Sequence, residues 1–224
     1  MKIAKRIKNW TALDREKTYA LADAVEALRG YASKKFDETL EIAVRLNVDV
    51  AKNDQNIRVM LSLPNGTGRK VRVAVITGGK EDEAKKAGAD IVGGEELIDK
   101  IAGGFLEFDR VIASPDMMPK MSKVARVLGP KGLMPNPKLG TVANNIAEAV
   151  KNAKAGQVEL RAEKKGIVHS AAGKMSFGTQ QLVENMEAII DALKKAKPAS
   201  VKGQYILGAS VSTTQGPGVK VDIR

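Results

Sequence analysis

The chain has 224 residues, an apolar share of 43% and no Cys, so it can bury a core without staples, and disulfides, thiolate metal sites and a Cys nucleophile are excluded. A formal charge of +11 favours a polyanionic partner, through raised local potential and counterion release, over a merely basic solvated surface or a membrane. No apolar run approaches the ~18 residues of a spanning helix. The basic start, Met1 to Trp10, lacks the apolar stretch of a secretory signal, and the lack of Cys suits a reducing cytosol.

Leu21, Ala24, Val25 and Leu28 recur at helical spacing and predict a first helix over 20–31. The period then falls to two. Leu40, Ile42, Val44 and Leu46 alternate with Thr39, Glu41, Ala43 and Arg45, which predicts a strand with one wet face. A second alternating strand carries Ile57, Val59, Leu61 and Leu63, and 64–68 reads as a break. From Val71 to Ile76 the chain is nearly all apolar, as in a strand covered on both faces. A short helix is predicted over 81–87, a strand over 89–92, a helix over 95–101 and a buried strand over 110–113. Residues 117–140, rich in Met, Gly, Pro and Lys, read as a loop. A helix starts at Asn145 with Glu148 as capping-box partner, and Gly156 ends it. Alternation returns with Val158 and Leu160, a turn at 164–166, then Ile167 and His169. A long helix follows, with Leu182, Val183, Met186, Ile189, Ile190 and Leu193 on one face. Lys194, Lys195 and Lys197 suit its C-terminal dipole, and Pro198 stops it. Strands over 203–214 and 218–223 close the chain.

Half-exposed strands thus occur at both ends of the chain, with a parallel-looking α/β unit between them. The economical reading is two domains. A discontinuous α+β domain, residues 1–67 plus 157–224, has a mainly antiparallel sheet with helices on one face. An α/β domain with a parallel sheet, residues 68–156, is inserted into it. Glycines mark both crossings, and the inserted domain is expected to hinge as a near-rigid body at Gly66, Gly68 and Gly156.

Little here suggests catalysis. Gly78-Gly79 between a strand and a helix could form a phosphate loop, but Glu81, Asp82 and Glu83 in the next turn would repel a phosphate, so a tight turn fits better. Neither a Walker pattern nor a full dinucleotide fingerprint is present. One His and no Cys make a triad or zinc site a poor match, and His169 reads either as an ordinary strand residue or as a contact to nucleic acid. Residues 117–147 hold Lys120, Lys123, Arg126, Lys131 and Lys138 and no acid, either a pre-shaped polyanion surface or an exposed loop. Phe36, after Lys34 and Lys35, is a core plug or a ring that stacks on a base or ribose. Ser210, Ser212, Thr213 and Thr214 gather hydroxyls before Gly216-Pro217-Gly218, where bare backbone can approach a ligand. Hydroxyls and amides suit the 2′-hydroxyls and phosphates of folded RNA, whereas an aromatic share of 4% argues against a single-strand stacking platform.

Several strings occur in order: Lys35-Phe36-Asp37-Glu38-Thr39, Asp54-Gln55-Asn56-Ile57-Arg58, Ala87-Gly88-Ala89-Asp90 and Gly93-Gly94-Glu95-Glu96. Then come Leu128 to Lys138 (Leu-Gly-Pro-Lys-Gly-Leu-Met-Pro-Asn-Pro-Lys), Gly173-Lys174-Met175-Ser176-Phe177 and Thr213-Thr214-Gln215-Gly216-Pro217. Over essentially the whole chain these resemble the L-one family of large ribosomal subunit proteins, bacterial type. The resemblance implies a ribosomal, cytoplasmic protein, a monomer when free, whose discontinuous domain grips the mobile stalk of 23S rRNA. It further implies a Rossmann-like inserted domain that binds no dinucleotide, a stalk that moves with deacylated exit-site tRNA, and repression of the family's own operon mRNA. It carries RNA contact to Lys35, Phe36, Thr39, Glu41, Lys52, His169, Lys174, Ser176, Thr213, Thr214, Gln215 and Gly216. Gln215 stands where the family usually has Met, so a hydrogen bond would replace an apolar contact there. Binding without chemistry, cofactor, metal, membrane or small-molecule substrate is expected. The alternative is a nucleotide-dependent enzyme on the central α/β unit, which titration with ATP or NAD would reveal.

Overall fold

A computed structural model describes residues 7, 10, 13, 14 and 16–223, with Lys34 excepted, and the side chains of Asn53 and Lys138 lie outside that description. Most of the basic start and the Lys34 position therefore fall outside the described residues. In chain order the elements are β1 (Thr18–Tyr19), α1 (Leu21–Arg29), β2 (Thr39–Leu46), β3 (Arg58–Ser62), β4 (Val73–Ile76), α2 (Glu81–Lys86), β5 (Ile91–Gly93), α3 (Glu95–Ala102) and β6 (Arg110–Ala113). They continue with α4 (Met118–Met121), α5 (Ala125–Leu128), α6 (Ile146–Lys154), β7 (Gln157–Arg161), β8 (Ile167–Lys174), α7 (Thr179–Lys195), β9 (Ile206–Thr213) and β10 (Gly218–Val221). The chain divides into two compact units, Met1–Gly68 with Val158–Arg224, and Arg69–Gln157.

The first unit is built on a mixed five-stranded sheet in the order β1-β10-β9-β2-β8. β1 runs parallel to β10, and the other pairs are antiparallel. On β2 the period of two decides the faces: Leu40, Ile42, Val44 and Leu46 are buried, Glu41 and Arg45 exposed. A slip of one residue would turn all four apolar side chains to water, so this register is strongly specified. The buried face packs on α1 and α7 through Ala24, Val25 and Leu28 and through Leu182, Met186, Ile189, Ile190 and Leu193, as their spacing requires. Each such Leu or Ile contributes about 1.5–3 kcal/mol on burial. β1 was not evident from sequence; two residues are too few for periodicity to act on. β3 and β7 stay out of the five-stranded sheet and pair as a two-stranded ribbon, mostly half-buried but with Leu160 in the core, and with an Arg58–Glu159 ion pair at 2.7 Å.

The α7 stripe holds one residue that a hydrophobic count passes over. Asn185 is fully buried between Leu182 and Ile189. Its Nδ2 donates to the carbonyls of Ala172 and Gly66 at 2.7 and 3.0 Å, and its Oδ1 accepts from the Asn65 N–H at 3.0 Å. The segment at 65–66 is thereby fastened to β8 and α7 by one amide that is satisfied at both ends.

The second unit holds a three-stranded parallel sheet, ordered β5-β4-β6. All four residues of β4 are buried, but into two clusters: Ala74 and Ile76 pack toward α3, α4 and α5, Val73 and Val75 toward α2 and α6. That explains the uninterrupted apolar run. Asn145 caps α6 as expected, accepting from the Glu148 N–H at 3.3 Å, while the Glu148 carboxylate takes the Asn145 side-chain amide instead of the backbone N–H. The reading of 117–140 as a loop is corrected in its first half. Helical turns run from Pro115 to Leu128, because Met117, Met121, Val124 and Leu128 follow each other at helical spacing and are all buried. Pro119 does not prevent this, since it occupies the first turn of α4. No helix among the described residues is long and apolar enough to cross a membrane.

Candidate nucleic-acid interface

One end of the five-stranded sheet brings together three segments that lie far apart in the chain. β2 starts there at Thr39, β8 ends there at Lys174, and β9 ends there at Thr213. The Thr39 N–H donates to Thr214 Oγ1 at 3.0 Å and the Thr214 N–H returns to the Thr39 carbonyl at 3.1 Å, across 175 positions. Lys174 Nζ donates to Thr39 Oγ1 at 2.9 Å and to the Asp37 carbonyl at 3.2 Å. The Asp37 carboxylate accepts from the Ser176 N–H at 3.1 Å and from Ser176 Oγ at 2.8 Å.

A β-bulge sets which face Lys174 joins. Along most of the β2–β8 ladder, His169 and Ala171 lie opposite Ala43 and Glu41 on the face away from the helices. Between Leu40 and Glu41 the register slips by one, so Lys174 comes opposite Thr39. Without the extra residue in β8, Lys174 would turn to the other face.

Beneath this end lies Glu38, which is 1% exposed. Its carboxylate accepts from the Ser33 N–H at 2.7 Å and from the Gln215 N–H at 3.1 Å, and its carbonyl accepts from the Met175 N–H at 2.9 Å. Beyond β9 the chain turns so tightly that a Cβ on Gly216 would stand 2.2 Å from Thr213 Oγ1, so this position admits only Gly as built.

The expected contact residues separate into groups. Lys35, Phe36, Thr39, Lys174, Ser176, Thr214, Gln215 and Gly216 gather at this end, and Phe36 is 43% exposed, which rules out the core-plug reading. Glu41 and His169 lie further along the open face, Glu41 opposite Ser212 and Ala171. His169 stands 3.9 Å from a Glu163 carboxylate oxygen, both side chains well exposed. Thr213 departs from the expectation of a contact. It is 3% exposed, and its Oγ1 is buried without a hydrogen-bond partner, beneath the surface that Thr214 and Gln215 present. Lys52 is not brought to the cluster. It follows the far end of β2, roughly 23 Å along the strand at about 3.3 Å per residue, and pairs loosely with Asp49 at 4.0 Å.

In the second unit Lys123, Arg126 and Lys131 are exposed on the turns after β6. Lys120 is not a free cation, because the fold brings Glu95 of α3 against it in an ion pair. That hydrogen bond and charge, with a smaller contribution from Lys123, hold the Glu95 carboxyl below its usual range. Gly66, Gly68 and Gly156 all adopt positive φ, at 67°, 70° and 93°. At Gly68 a Cβ would also meet Lys174 Cγ at 2.8 Å and Phe177 Cζ at 2.9 Å.

Sequence reasoning missed Asp37, Glu38 and Asn185. Asp37 and Glu38 stood in the sequence only as members of the family string Lys35 to Thr39, with no role assigned. The model of the Ribosomal protein L1p/L10e family matches residues 28–217, a span that holds the whole cluster from Lys35 to Gly216, and the chain belongs to that family of structural, non-enzymatic ribosomal proteins that bind rRNA.

Proposed function

We propose that the chain binds the mobile stalk of 23S rRNA in the cytoplasmic ribosome through the end of the sheet where Thr39, Lys174 and Thr214 meet. The convergence of three sequence-remote segments, with exposed Lys35 and Phe36 beside them, is the observation that supports this reading. Such a surface offers hydroxyls, peptide groups, one aromatic ring and a few cations in fixed positions. That suits the shape of a folded RNA better than a long run of phosphates. In this reading Glu41, His169, Gln215 and Gly216 extend the contact along the open face and the turn. Lys52 adds only general attraction to phosphate.

The same site serves a second RNA, a mimic of the rRNA structure on the chain's own operon mRNA, so that excess free protein represses its synthesis. Movement of the stalk with deacylated exit-site tRNA is the accompanying role, with Lys123, Arg126 and Lys131 as the surface turned to RNA on the assembled ribosome. Titration of the full chain with a stalk rRNA fragment, across a series of salt concentrations and against an unrelated hairpin, tests the reading. The stalk fragment is expected to bind at least tenfold more tightly, with affinity falling as salt rises. Equal binding of both RNAs would sink it. Residues 1–67 joined by a short linker to 157–224 are expected to keep most of that affinity.

A further inference from the structure

We propose that Glu38 is a positioning residue for RNA recognition, locking the three contact segments into one pre-set shape without itself touching the RNA. The inference rests on the reading that this end of the sheet grips the stalk rRNA. An acid in such a place needs an explanation. A carboxylate near phosphates is repelled, and a buried one is costly unless hydrogen bonds satisfy it. Glu38 is buried to 1% exposure, and its three acceptor atoms take backbone N–H groups from three separate segments. One reaches the Ser33 N–H just before Lys35 and Phe36, one the Gln215 N–H 177 positions away, and the carbonyl holds the Met175 N–H between Lys174 and Ser176. Each of the three segments that carry contact residues is thus tied by its backbone to this one residue.

A carboxylate suits the task because both oxygens accept. Two peptide N–H groups converge on it from different loops, and a neutral amide would have to point its own NH₂ at one of them. If the bond to Gln215 is the one lost, the turn at Gln215 and Gly216 is left with the pairings of Thr214 with Thr39 and of Gly216 with Thr213. The Lys35–Phe36 loop and this turn would then drift relative to each other. No cation is lost, so the number of phosphates neutralised stays the same while the fit to one RNA shape degrades. Shape selectivity and salt dependence therefore separate in this prediction.

The experiment compares the full chain with Glu38→Gln and Glu38→Asp, and with Lys35→Ala as a cation-removing control. Stalk and hairpin affinities are measured over a salt series well below the unfolding midpoint, and amide exchange is followed at Ser33 and Gln215. For Glu38→Gln we expect faster exchange at one or both amides and at least a tenfold loss of stalk affinity. Selectivity over the hairpin should shrink while the salt slope is unchanged. Lys35→Ala should instead flatten the slope by about one phosphate contact. Glu38→Asp keeps the charge but falls one methylene short, so an intermediate loss is expected, and it carries the test alone if the Gln variant does not fold. Faster exchange with wild-type affinity and selectivity would overturn the proposal, as would a loss that appears only as a changed salt slope. If the unmodified chain does not prefer the stalk fragment, the reading of the site fails instead, and the exchange data still report whether Glu38 ties the loops.

Discussion

The two compact units present their polar residues in opposite ways. In the first, helices cover one face of the sheet, and the end where β2, β8 and β9 meet is assembled by hydrogen bonds between residues as much as 177 positions apart. In the second, both faces of a small parallel sheet are covered, and the exposed cations Lys123, Arg126 and Lys131 sit within nine residues of sequence on short helical turns and one tight turn. A surface made by strand register is only as good as the fold beneath it. A surface made by local turns can lose a side chain without consequence for its neighbours. The first suits discrimination among RNA shapes, the second general attraction to an anion.

The largest effect should come from cutting a tether in the first unit. Asn185→Leu removes three hydrogen bonds to peptide groups of Asn65, Gly66 and Ala172, of which the one to Ala172 is buried and the other two part-buried. At about 1–3 kcal/mol for the buried Ala172 carbonyl and about 1 kcal/mol for each of the two part-buried groups, the expected loss is about 3–5 kcal/mol, read as a lowered urea midpoint. If Asn185→Leu were neutral, the distant contacts would not be what holds this unit's shape.

Gly216→Ala should follow. The added methyl group must displace Thr213 Oγ1 or the turn itself, at a cost of about 1–3 kcal/mol in stability, with a loss of stalk rRNA affinity because Thr214 and Gln215 move with the turn. Unchanged RNA binding by a folded Gly216→Ala protein would show that the turn is not part of the contact surface.

These two positions also mark the boundary of what could be read from the chain. The alternation of β2, the apolar run of β4 and the stripe on α7 declare their elements, because burial on one face or two leaves a direct trace in residue order. Lys35, Thr39, Lys174 and Thr214 were legible as candidates through the family resemblance and their residue types. Their meeting follows from reading the two chain ends as one discontinuous domain, but the bulge that sends Lys174 to the side of Thr39 was not legible, because it has no signature beyond a glycine in β8. Asn185 and Glu38 escaped because a buried polar residue announces itself only through its partners, which lie in other segments. The turns from Pro115 to Leu128 escaped for another reason. Proline and glycine suggested a loop, while the Met117, Met121, Val124 and Leu128 stripe that drives burial was already present.

A smaller effect tests whether the second unit also depends on a tether. Asp90 accepts from the Val73 N–H at 2.9 Å and from Lys154, and the backbone hydrogen bond, more than the lysine, holds its carboxyl below the ordinary 3.8. On acidification the unfolded chain takes up this proton first. The stability carried by Asp90 is therefore complete above the ordinary value and is lost as pH falls through the lower, folded one. The pair is partly exposed and screened by solvent, so Asp90→Asn should cost under about 1 kcal/mol at neutral pH. Urea midpoints of the two proteins should draw together as pH falls below the ordinary carboxylate range. A large loss at neutral pH would bring the units closer in character than their surfaces suggest.

The smallest expected effect concerns the cations of the second unit. If recognition resides in the strand register of the first, Arg126→Ala with Lys131→Ala should leave the affinity for an isolated stalk rRNA fragment within tenfold of wild type, about 1.4 kcal/mol. Both side chains are exposed, and they stand on opposite sides of Gly129 in a segment whose buried residues, Val124 and Leu128, the substitutions do not touch. The fold should therefore be unchanged, and any effect belongs to the charges. Two lost phosphate contacts would flatten the salt slope by about two, so a slope measurement detects even a weak contribution. A fall of more than tenfold with a flatter slope would mean that the inserted unit takes part in gripping the stalk, and the division of labour between register-built and turn-built surfaces would no longer hold. A fall seen only with assembled ribosomes would place these cations on a partner present there, with the stalk contact left to the first unit.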